Sequence, residues 1–286
     1  FKEEIWNTTG GSTWANDNKT LFYTLKNETT LRSEAIYKHR LNTDPKNDKL
    51  VFEETDDTFG VGVYKTKSQK YLVISSYSTL TTEYQFLNAN TPDNNFKVFQ
   101  PRTRGLEYSI SHFKNSFYVV SNADEAKNFK LSITSETNTD KTYWVDIIPH
   151  RKDVLLEDID IFKDFLVISE RQNGLNKIKI TRWDKSDSYY LPFDSETYTA
   201  YATSNIDFET TKLRYGYQSL TTPSSLIEFD MVTKENIILK EQEVLGGNFS
   251  KDNYTSERLW ATATDGTQIP ISLVHHIDTE INSKTP

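Results

Sequence analysis

Three groups of carboxylates are the first residues in this sequence that could do chemistry. They are the pairs Glu53–Glu54 and Asp56–Asp57, and the cluster of Glu157, Asp158 and Asp160. A glycoside hydrolase needs two carboxyl groups that face one sugar ring. Adjacent residues of a strand point to opposite faces of a sheet, so neither doublet forms such a pair by itself. We therefore interpret these acids as turn and rim charges, and keep a carbohydrate-active protein as an alternative.

Familiar catalytic and metal-binding motifs are missing from the sequence. It contains no G-x-S-x-G nucleophile motif, no H-E-x-x-H zinc motif and no phosphate-binding loop. Cysteine is absent, which removes disulfides, thiolate metal ligands and a cysteine nucleophile. The adjacent pair His275–His276 is better explained as a solvated pair than as a metal site. We predict no catalytic residue, no metal and no cofactor in this chain.

Composition narrows the class of protein further. The formal net charge of -8 argues against nucleic-acid binding, which needs a basic face. No run of about 18 apolar residues is present, so we predict no membrane span. The first residues show no signal peptide, and we expect a cytoplasmic or periplasmic protein.

An apolar run behind a polar turn recurs along the chain and predicts the fold. Its central residues lie 45 to 51 positions apart, at Phe22, Val73, Tyr118, Val167 and Tyr215. A period in this range is typical of solenoids and β-propellers. Each unit also holds enough short β-branched and aromatic runs for four strands. We predict an all-β protein, a β-propeller of four-stranded blades with about five blades present.

The predicted blades cover approximately residues 10–56, 59–101, 106–149, 155–194 and 198–243, within a partial propeller of residues 1–256. In the fourth unit we place strands at 159–162, 165–169, 177–182 and 189–193. Residues 257–286 are expected to form a hairpin with its turn at Asp265-Gly266, and to begin another domain. The doublets Gly10-Gly11 and Gly246-Gly247 are expected in turns that join blades.

Polar residues follow several of the apolar strands and share one predicted rim. They are Ser75-Ser76-Tyr77 in the second unit, Ser121-Asn122 in the third and Glu170-Arg171 in the fourth. Glu170 and Arg171 either line the central tunnel or form a structural ion pair at a strand end. Propellers meet ligands and other domains at such a rim, so position makes these residues candidates.

Several segments in order resemble the oligopeptidase B branch of the prolyl oligopeptidase family of serine peptidases. The most specific is Leu213-Arg214-Tyr215-Gly216-Tyr217-Gln218-Ser219-Leu220-Thr221-Thr222-Pro223-Ser224-Ser225. It is followed in register by Glu243-Val244-Leu245-Gly246-Gly247 and by Tyr254-Thr255-Ser256-Glu257-Arg258-Leu259-Trp260. Earlier matching segments include Lys49–Glu54 and Ala126–Phe129. The resemblance covers nearly the whole chain.

This resemblance implies a seven-bladed propeller that caps an α/β-hydrolase domain carrying the Ser, Asp and His of the catalytic triad. The chain would be a fragment, inactive alone, of an enzyme that hydrolyses short peptides after Arg or Lys. Its implied partners are its own hydrolase domain and short basic peptides, with self-association through exposed blade edges. An autonomous propeller that serves as a protein-interaction scaffold is the alternative.

The resemblance also places substrate-contacting residues of the family near Thr8–Gly10 and near Ser75–Tyr77. Prolyl-specific relatives carry an aromatic residue at the first place and a basic residue at the second, and this chain has neither there. Contact chemistry is therefore not transferred. The rim candidates are Thr9, Ser76, Tyr77, Glu170 and Arg171.

Overall fold

The computed structural model describes residues 3–247 and 249–282, and nearly all of their regular structure is β-strand. The strands form five four-stranded sheets and one two-stranded hairpin, and every pairing is antiparallel. Within each sheet, hydrogen-bonded neighbours follow one another along the chain. The predicted all-β class and the count of five four-stranded units are confirmed. The ends of the predicted domains, residues 1–2 and 283–286, lie outside the described residues.

The chain divides into two compact units, and the boundary along the sequence falls between Arg151 and Lys152. The first unit holds three sheets. Sheet one is β1 to β4: Thr8–Trp14, Thr20–Lys26, Ser33–Arg40 and Lys49–Glu53. Sheet two is β5 to β8: Gly60–Lys65, Tyr71–Tyr77, Thr82–Asn88 and Lys97–Val98. Sheet three is β9 to β12: Tyr108–Phe113, Ser116–Ser121, Lys130–Ser135 and Val145–Ile148.

The second unit holds two sheets and the hairpin. Sheet four is β13 to β16: Val154–Ile161, Phe165–Gln172, Leu175–Arg182 and Ser188–Tyr190. Sheet five is β17 to β20: Tyr198–Ala202, Lys212–Ser219, Ser225–Asp230 and Asn236–Glu241. The hairpin is β21 and β22, Tyr254–Thr262 and Gln268–His276, with Asp265-Gly266 in the turn as predicted. Three short 3-10 helices span Pro45–Asn47, Lys141–Tyr143 and Lys251–Asn253.

Apolar clusters between successive sheets hold each unit together. In the first unit, one cluster joins sheets one and two through Phe22, Ile36 and Leu72. A second cluster, rich in aromatic rings, joins sheets two and three around Phe117. In the second unit, Val167 and Leu213 belong to one cluster that joins sheets four and five. The second strands of sheets two, three and four are buried on both faces, which explains their continuous apolar runs.

The prediction that Gly10-Gly11 joins two blades is wrong, because both glycines lie inside β1. The pairing of β1 with β2 shifts between Thr8 and Ser12, where the ladder contains an irregularity. Gly10 has a φ of +82° there, a backbone conformation that a residue with a Cβ rarely adopts. A glycine is therefore needed inside the strand rather than between strands.

The first strand of the fourth sheet begins earlier than predicted: β13 starts at Val154 rather than at Ile159, close to the predicted start of the blade at residue 155. A β-bulge places Glu157 in the ladder between Leu156 and Asp158, so buried and exposed residues do not alternate across it. At the other end, β16 stops at Tyr190, and Phe193 lies beyond it, stacked on Tyr217 with ring centroids 5.5 Å apart.

None of the helices in the described part of the chain has the length and apolar character needed to cross a lipid bilayer.

Candidate functional site

The predicted rim residues of the first unit lie at the start of β1 and the end of β6. Thr9 is exposed, and its Oγ1 accepts a hydrogen bond from the Gly11 backbone N–H at 3.1 Å. Tyr77 is 49% exposed and its ring lies against Gly60, where an added Cβ would meet the Cζ of Tyr77 at 3.2 Å. Ser76 is buried and bonds to the carboxylate of Glu54. Tyr77 thus offers an aromatic surface to solvent, whereas Ser76 supports a buried acid.

The predicted rim residues of the second unit lie near the end of β14 and have separate partners. Glu170 is buried, and its Oε2 accepts a hydrogen bond from the Tyr190 hydroxyl at 2.7 Å. Arg171 is partly exposed and forms an ion pair with Glu157 at 2.7 Å. Glu157 also accepts from the Asn176 side chain, so the bulged residue of β13 is held in place.

A second set of residues on the first unit centres on Arg102, which sequence reasoning did not single out, and it includes Glu54 from the carboxylate pairs considered above. Its guanidinium donates to both carboxylate oxygens of Glu54 and to Glu83 Oε2 at 3.2 Å. The same group lies 3.9 Å from the ring centroid of Phe59, a cation–π arrangement. Glu54 follows sheet one and Arg102 follows sheet two, so this contact ties together the loops that enter sheets two and three.

The electrostatics of this set favour the charged forms. Burial alone would raise the pKa of Glu54, but hydrogen bonds from Arg102, from the Asp56 N–H and from Ser76 bring it below its ordinary value. The hydrogen bond to Glu54 raises the pKa of Arg102 against the effect of burial. The Glu54 side chain is only 4% exposed, so its charge depends on these partners.

An open cleft of about 590 Å³ lies beside Arg102, and we call it the rim cleft. It is lined by residues of three loops of the first unit: Asp56, Thr58, Phe59, Ser78, Thr79, Leu80, Thr81, Arg102, Arg104 and Gly105. Leu80, at the tip of the turn between β6 and β7, is 63% exposed. The cleft therefore combines apolar side chains, hydroxyl groups and two guanidinium groups in a volume that suits a small ligand.

A Ser–His–Glu relay connects sheets two and three. Ser68 Oγ lies 2.8 Å from His112 Nδ1, and His112 Nε2 lies 2.7 Å from Glu136 Oε1. Glu136 also pairs with Lys70 and bonds to the Tyr71 hydroxyl. The imidazole packs edge-on against Tyr71 and Phe117, with ring centroids 4.9 and 5.0 Å away. These contacts resemble the hydrogen-bond order of a hydrolase triad, but the imidazole is buried among aromatic rings and joins two sheets.

Burial determines the charge state of this relay. It lowers the pKa of His112, and the hydrogen bond to Glu136 only partly opposes the shift. Burial also raises the pKa of Tyr71, to about 12, with a further contribution from Glu136. Burial would raise the pKa of Glu136, but the hydrogen bonds from Lys70 and His112 lower it overall. At neutral pH the relay holds a neutral imidazole beside an ionised carboxylate.

The relay predicts a specific loss of stability in mild acid. The folded state lowers the pKa of His112 below its ordinary value of 6.5. The stability that the neutral imidazole gives the folded protein is therefore fully present above pH 6.5 and declines as the pH falls below it. The slope for one proton is at most about 1.4 kcal/mol per pH unit. We expect His112→Gln to reduce stability at pH 7.5 by about 1 kcal/mol, and the gap from the parent to narrow toward pH 5.5.

Urea denaturation at pH 7.5, 6.5 and 5.5 measures this gap, with His150→Gln as the control for a histidine outside the relay. Parallel pH profiles for the parent and His112→Gln would contradict the assignment.

Sequence reasoning missed the Arg102 set and the relay because both join sheets. Glu54 and Arg102 are 48 residues apart, and Ser68 and His112 are 44 apart. One signal was present: Glu54 and Arg102 both lie in the segments that follow the fourth strands of sheets one and two, and they carry opposite charges.

A family model matches most of the chain. It is described as the prolyl oligopeptidase N-terminal β-propeller domain and matches residues 1–242. The dipeptidyl aminopeptidase BI of Pseudoxanthomonas mexicana is 37% identical over 274 residues, which cover 96% of this chain and 37% of that protein. Protease 2 of Moraxella lacunata is 27% identical over 266 residues, 93% of this chain and 38% of that protein. The chain thus spans less than two fifths of the length of these relatives.

Comparison with solved structures agrees with the family match. Oligopeptidase B from Trypanosoma brucei, in a closed form with covalently bound antipain, matches with a TM-score of 0.89 and 28% identity. That match covers 98% of this chain and 41% of the other. Oligopeptidase B from Leishmania major matches with a TM-score of 0.88 and 27% identity, over 98% of this chain and 40% of the other.

Proposed function

The chain belongs to the family of prolyl oligopeptidase N-terminal β-propeller domains, and from this premise we propose that it is the substrate-gating propeller of a serine oligopeptidase. The observation that carries the proposal is the family match over residues 1–242, joined to five four-stranded sheets. The sequence holds no nucleophile motif of its own. We therefore assign it the selection of substrate rather than bond cleavage.

In this proposal the chemistry belongs to an α/β-hydrolase domain that acts together with the propeller. A serine there attacks the peptide carbonyl, a histidine takes the serine proton as general base, and an aspartate orients the histidine. The propeller admits short peptides and excludes folded proteins. Its closure over the substrate also removes water from the reacting groups, a gating role.

For the substrate, we propose short peptides that are cleaved after Arg or Lys. Support comes from the similarity to two oligopeptidase B structures and to Protease 2. The formal net charge of -8 favours the encounter with cationic peptides. The 37% identity to a dipeptidyl aminopeptidase favours a second candidate, the removal of dipeptides from a free amino end.

The test uses the whole protein, in which this chain is joined to its hydrolase domain, and the chain alone. We expect the whole protein to hydrolyse a short peptide after Arg or Lys and to leave a folded protein intact. We expect no turnover from the chain alone, because its sequence contains no G-x-S-x-G nucleophile motif. Release of the carboxyl-terminal product is followed by chromatography.

An acetylated copy of the peptide separates the two candidates. An oligopeptidase cleaves it as fast as the free peptide, whereas a dipeptidyl aminopeptidase requires the free amino end and does not. Turnover by the chain alone, or cleavage of the folded protein at the rate of the peptide, would refute the gating role.

A further inference from the structure

The charged residues that line the rim cleft differ in how they are satisfied. Arg102 is bound by Glu54 and Glu83. Asp56 Oδ1 accepts hydrogen bonds from the backbone and hydroxyl of Thr58, at 3.0 and 2.7 Å. In contrast, no hydrogen bond or ion pair within residues 3–247 and 249–282 holds Arg104, which is exposed and lines the cleft. The cleft thus offers a solvated guanidinium that no protein group holds.

The loop that carries Arg104 is fixed on both sides. The Gly105 N–H donates to Thr81 Oγ1 at 3.0 Å, and the Leu106 N–H donates to the Thr103 carbonyl at 3.0 Å. The Asn122 side chain donates to the Gly105 carbonyl at 2.9 Å. A ligand that meets Arg104 therefore finds a backbone that is already ordered, which reduces the entropy lost on binding.

The remaining walls indicate the size and character of the ligand. Leu80 and Phe59 supply apolar surface. The Thr79 hydroxyl can donate or accept, whereas the Ser78 hydroxyl donates to the Thr81 carbonyl at 3.2 Å and can accept from a ligand. A volume of about 590 Å³ lies within the usual range of small-ligand sites. Asp56 is the carboxylate of the lining, and after the hydrogen bonds from Thr58 the charges of Arg102 and Arg32 lower its pKa. Its negative charge is therefore opposed by neighbouring cations.

We infer that the rim cleft binds the carboxylate of a short peptide, with Arg104 as the anchor. A guanidinium presents two parallel N–H groups that match the two oxygens of a carboxylate. The apolar walls take the neighbouring side chain, and the hydroxyl groups take the last peptide units. The choice of a peptide rests on the proposed function, whereas the choice of a carboxylate rests on the cleft.

Direct binding to the chain itself tests this inference without any catalysis. Three probes are titrated by calorimetry or by chemical-shift mapping: N-acetyl-Ala-Leu-Ala, its carboxyl-terminal amide, and N-acetyl-Ala-Glu-Ala amide. We expect the first probe to bind at least tenfold more tightly than its amide. The glutamate probe carries its carboxylate on a side chain instead of at the carboxyl end. It matches the affinity of N-acetyl-Ala-Leu-Ala only if the cleft accepts an acidic side chain as readily as a terminal carboxylate.

Two exposed positions give matched variants. Arg104→Gln is expected to remove the preference for the acid, and Arg104→Lys to keep part of it. Lys127→Gln removes one exposed positive charge outside the cleft and is expected to leave the preference unchanged. Circular dichroism checks that each variant is folded.

Equal binding of the acid and its amide, or a preference that survives Arg104→Gln, would overturn the inference. Such a result would leave the peptidase proposal standing, because that proposal is judged by turnover in the whole protein. If the chain bound the acid selectively through Arg104 but the whole protein cleaved no peptide, the carboxylate site would stand and the peptidase proposal would fail.

Discussion

Replacing Phe117 by alanine is expected to destabilise the first unit by about 3 to 5 kcal/mol, the usual cost of removing a buried aromatic side chain. Phe117 is fully buried between sheets two and three. Its ring centroid lies 5.0 to 5.2 Å from those of Tyr71, Phe86 and Phe99. The loss therefore combines apolar transfer, an unfilled cavity and several edge-to-face ring contacts.

Urea unfolding, followed by fluorescence and far-ultraviolet circular dichroism, measures this change. Phe117→Leu keeps most of the volume and is expected to cost about 1 to 1.5 kcal/mol. Tyr143→Ala, at an exposed position, is expected to change stability by less than about 0.5 kcal/mol. If Phe117→Ala were no more harmful than Tyr143→Ala, the aromatic cluster would not hold the two sheets together.

Arg102→Ala is the second substitution with a large expected effect, a loss of about 3 kcal/mol at neutral pH. It leaves the buried carboxylate of Glu54 without its guanidinium partner, and breaking one side of a buried ion pair is strongly destabilising. It also removes the cation from the face of Phe59. Arg102→Lys keeps the charge but loses the two-pronged contact, so we expect an intermediate loss.

The pH dependence identifies the cause of this loss. Because the folded state lowers the pKa of Glu54, the stability that its pairing supplies is present above the ordinary value of 4.5 and disappears as the pH falls below it. The difference between the parent and Arg102→Ala should therefore shrink in acid. Glu54→Gln combined with Arg102→Ala should be more stable than Arg102→Ala alone at pH 7, by denaturation in urea. A constant difference at every pH would instead indicate lost packing.

The repeat predicted the sheets well because the second strands of sheets two, three and four are buried on both faces. Val73 and Val167 mark β6 and β14, and a run of buried β-branched and aromatic residues is readable without knowledge of its neighbours. The β-propeller class and the family resemblance are confirmed. The start of β13 was missed because the bulged Glu157 changes which side chains face the core. Such a bulge depends on the pairing of two strands and leaves no periodic signal.

The rim was only partly readable from sequence. Sequence analysis placed Ser76 and Tyr77 after the apolar run of β6 and Glu170 and Arg171 after that of β14, and these residues lie in the last parts of the two strands. Their roles as substrate contacts stay predictions. The structure shows that Ser76 and Glu170 are buried. The Arg102 set and the rim cleft arise where loops of separate sheets meet. The spacing of residues along the sequence does not show which loops pack together.

Sheets made from consecutive strands have a consequence for synthesis on the ribosome. Every ladder joins segments that are close along the chain, so closing each one costs little entropy and each sheet can pair soon after it emerges. The apolar clusters, however, need the next sheet. At ordinary translation rates a further unit of about 50 residues takes about 3 to 10 s. During that interval the face around Phe22 of sheet one or Phe86 of sheet two is uncovered, which makes it a natural point of contact for a chaperone.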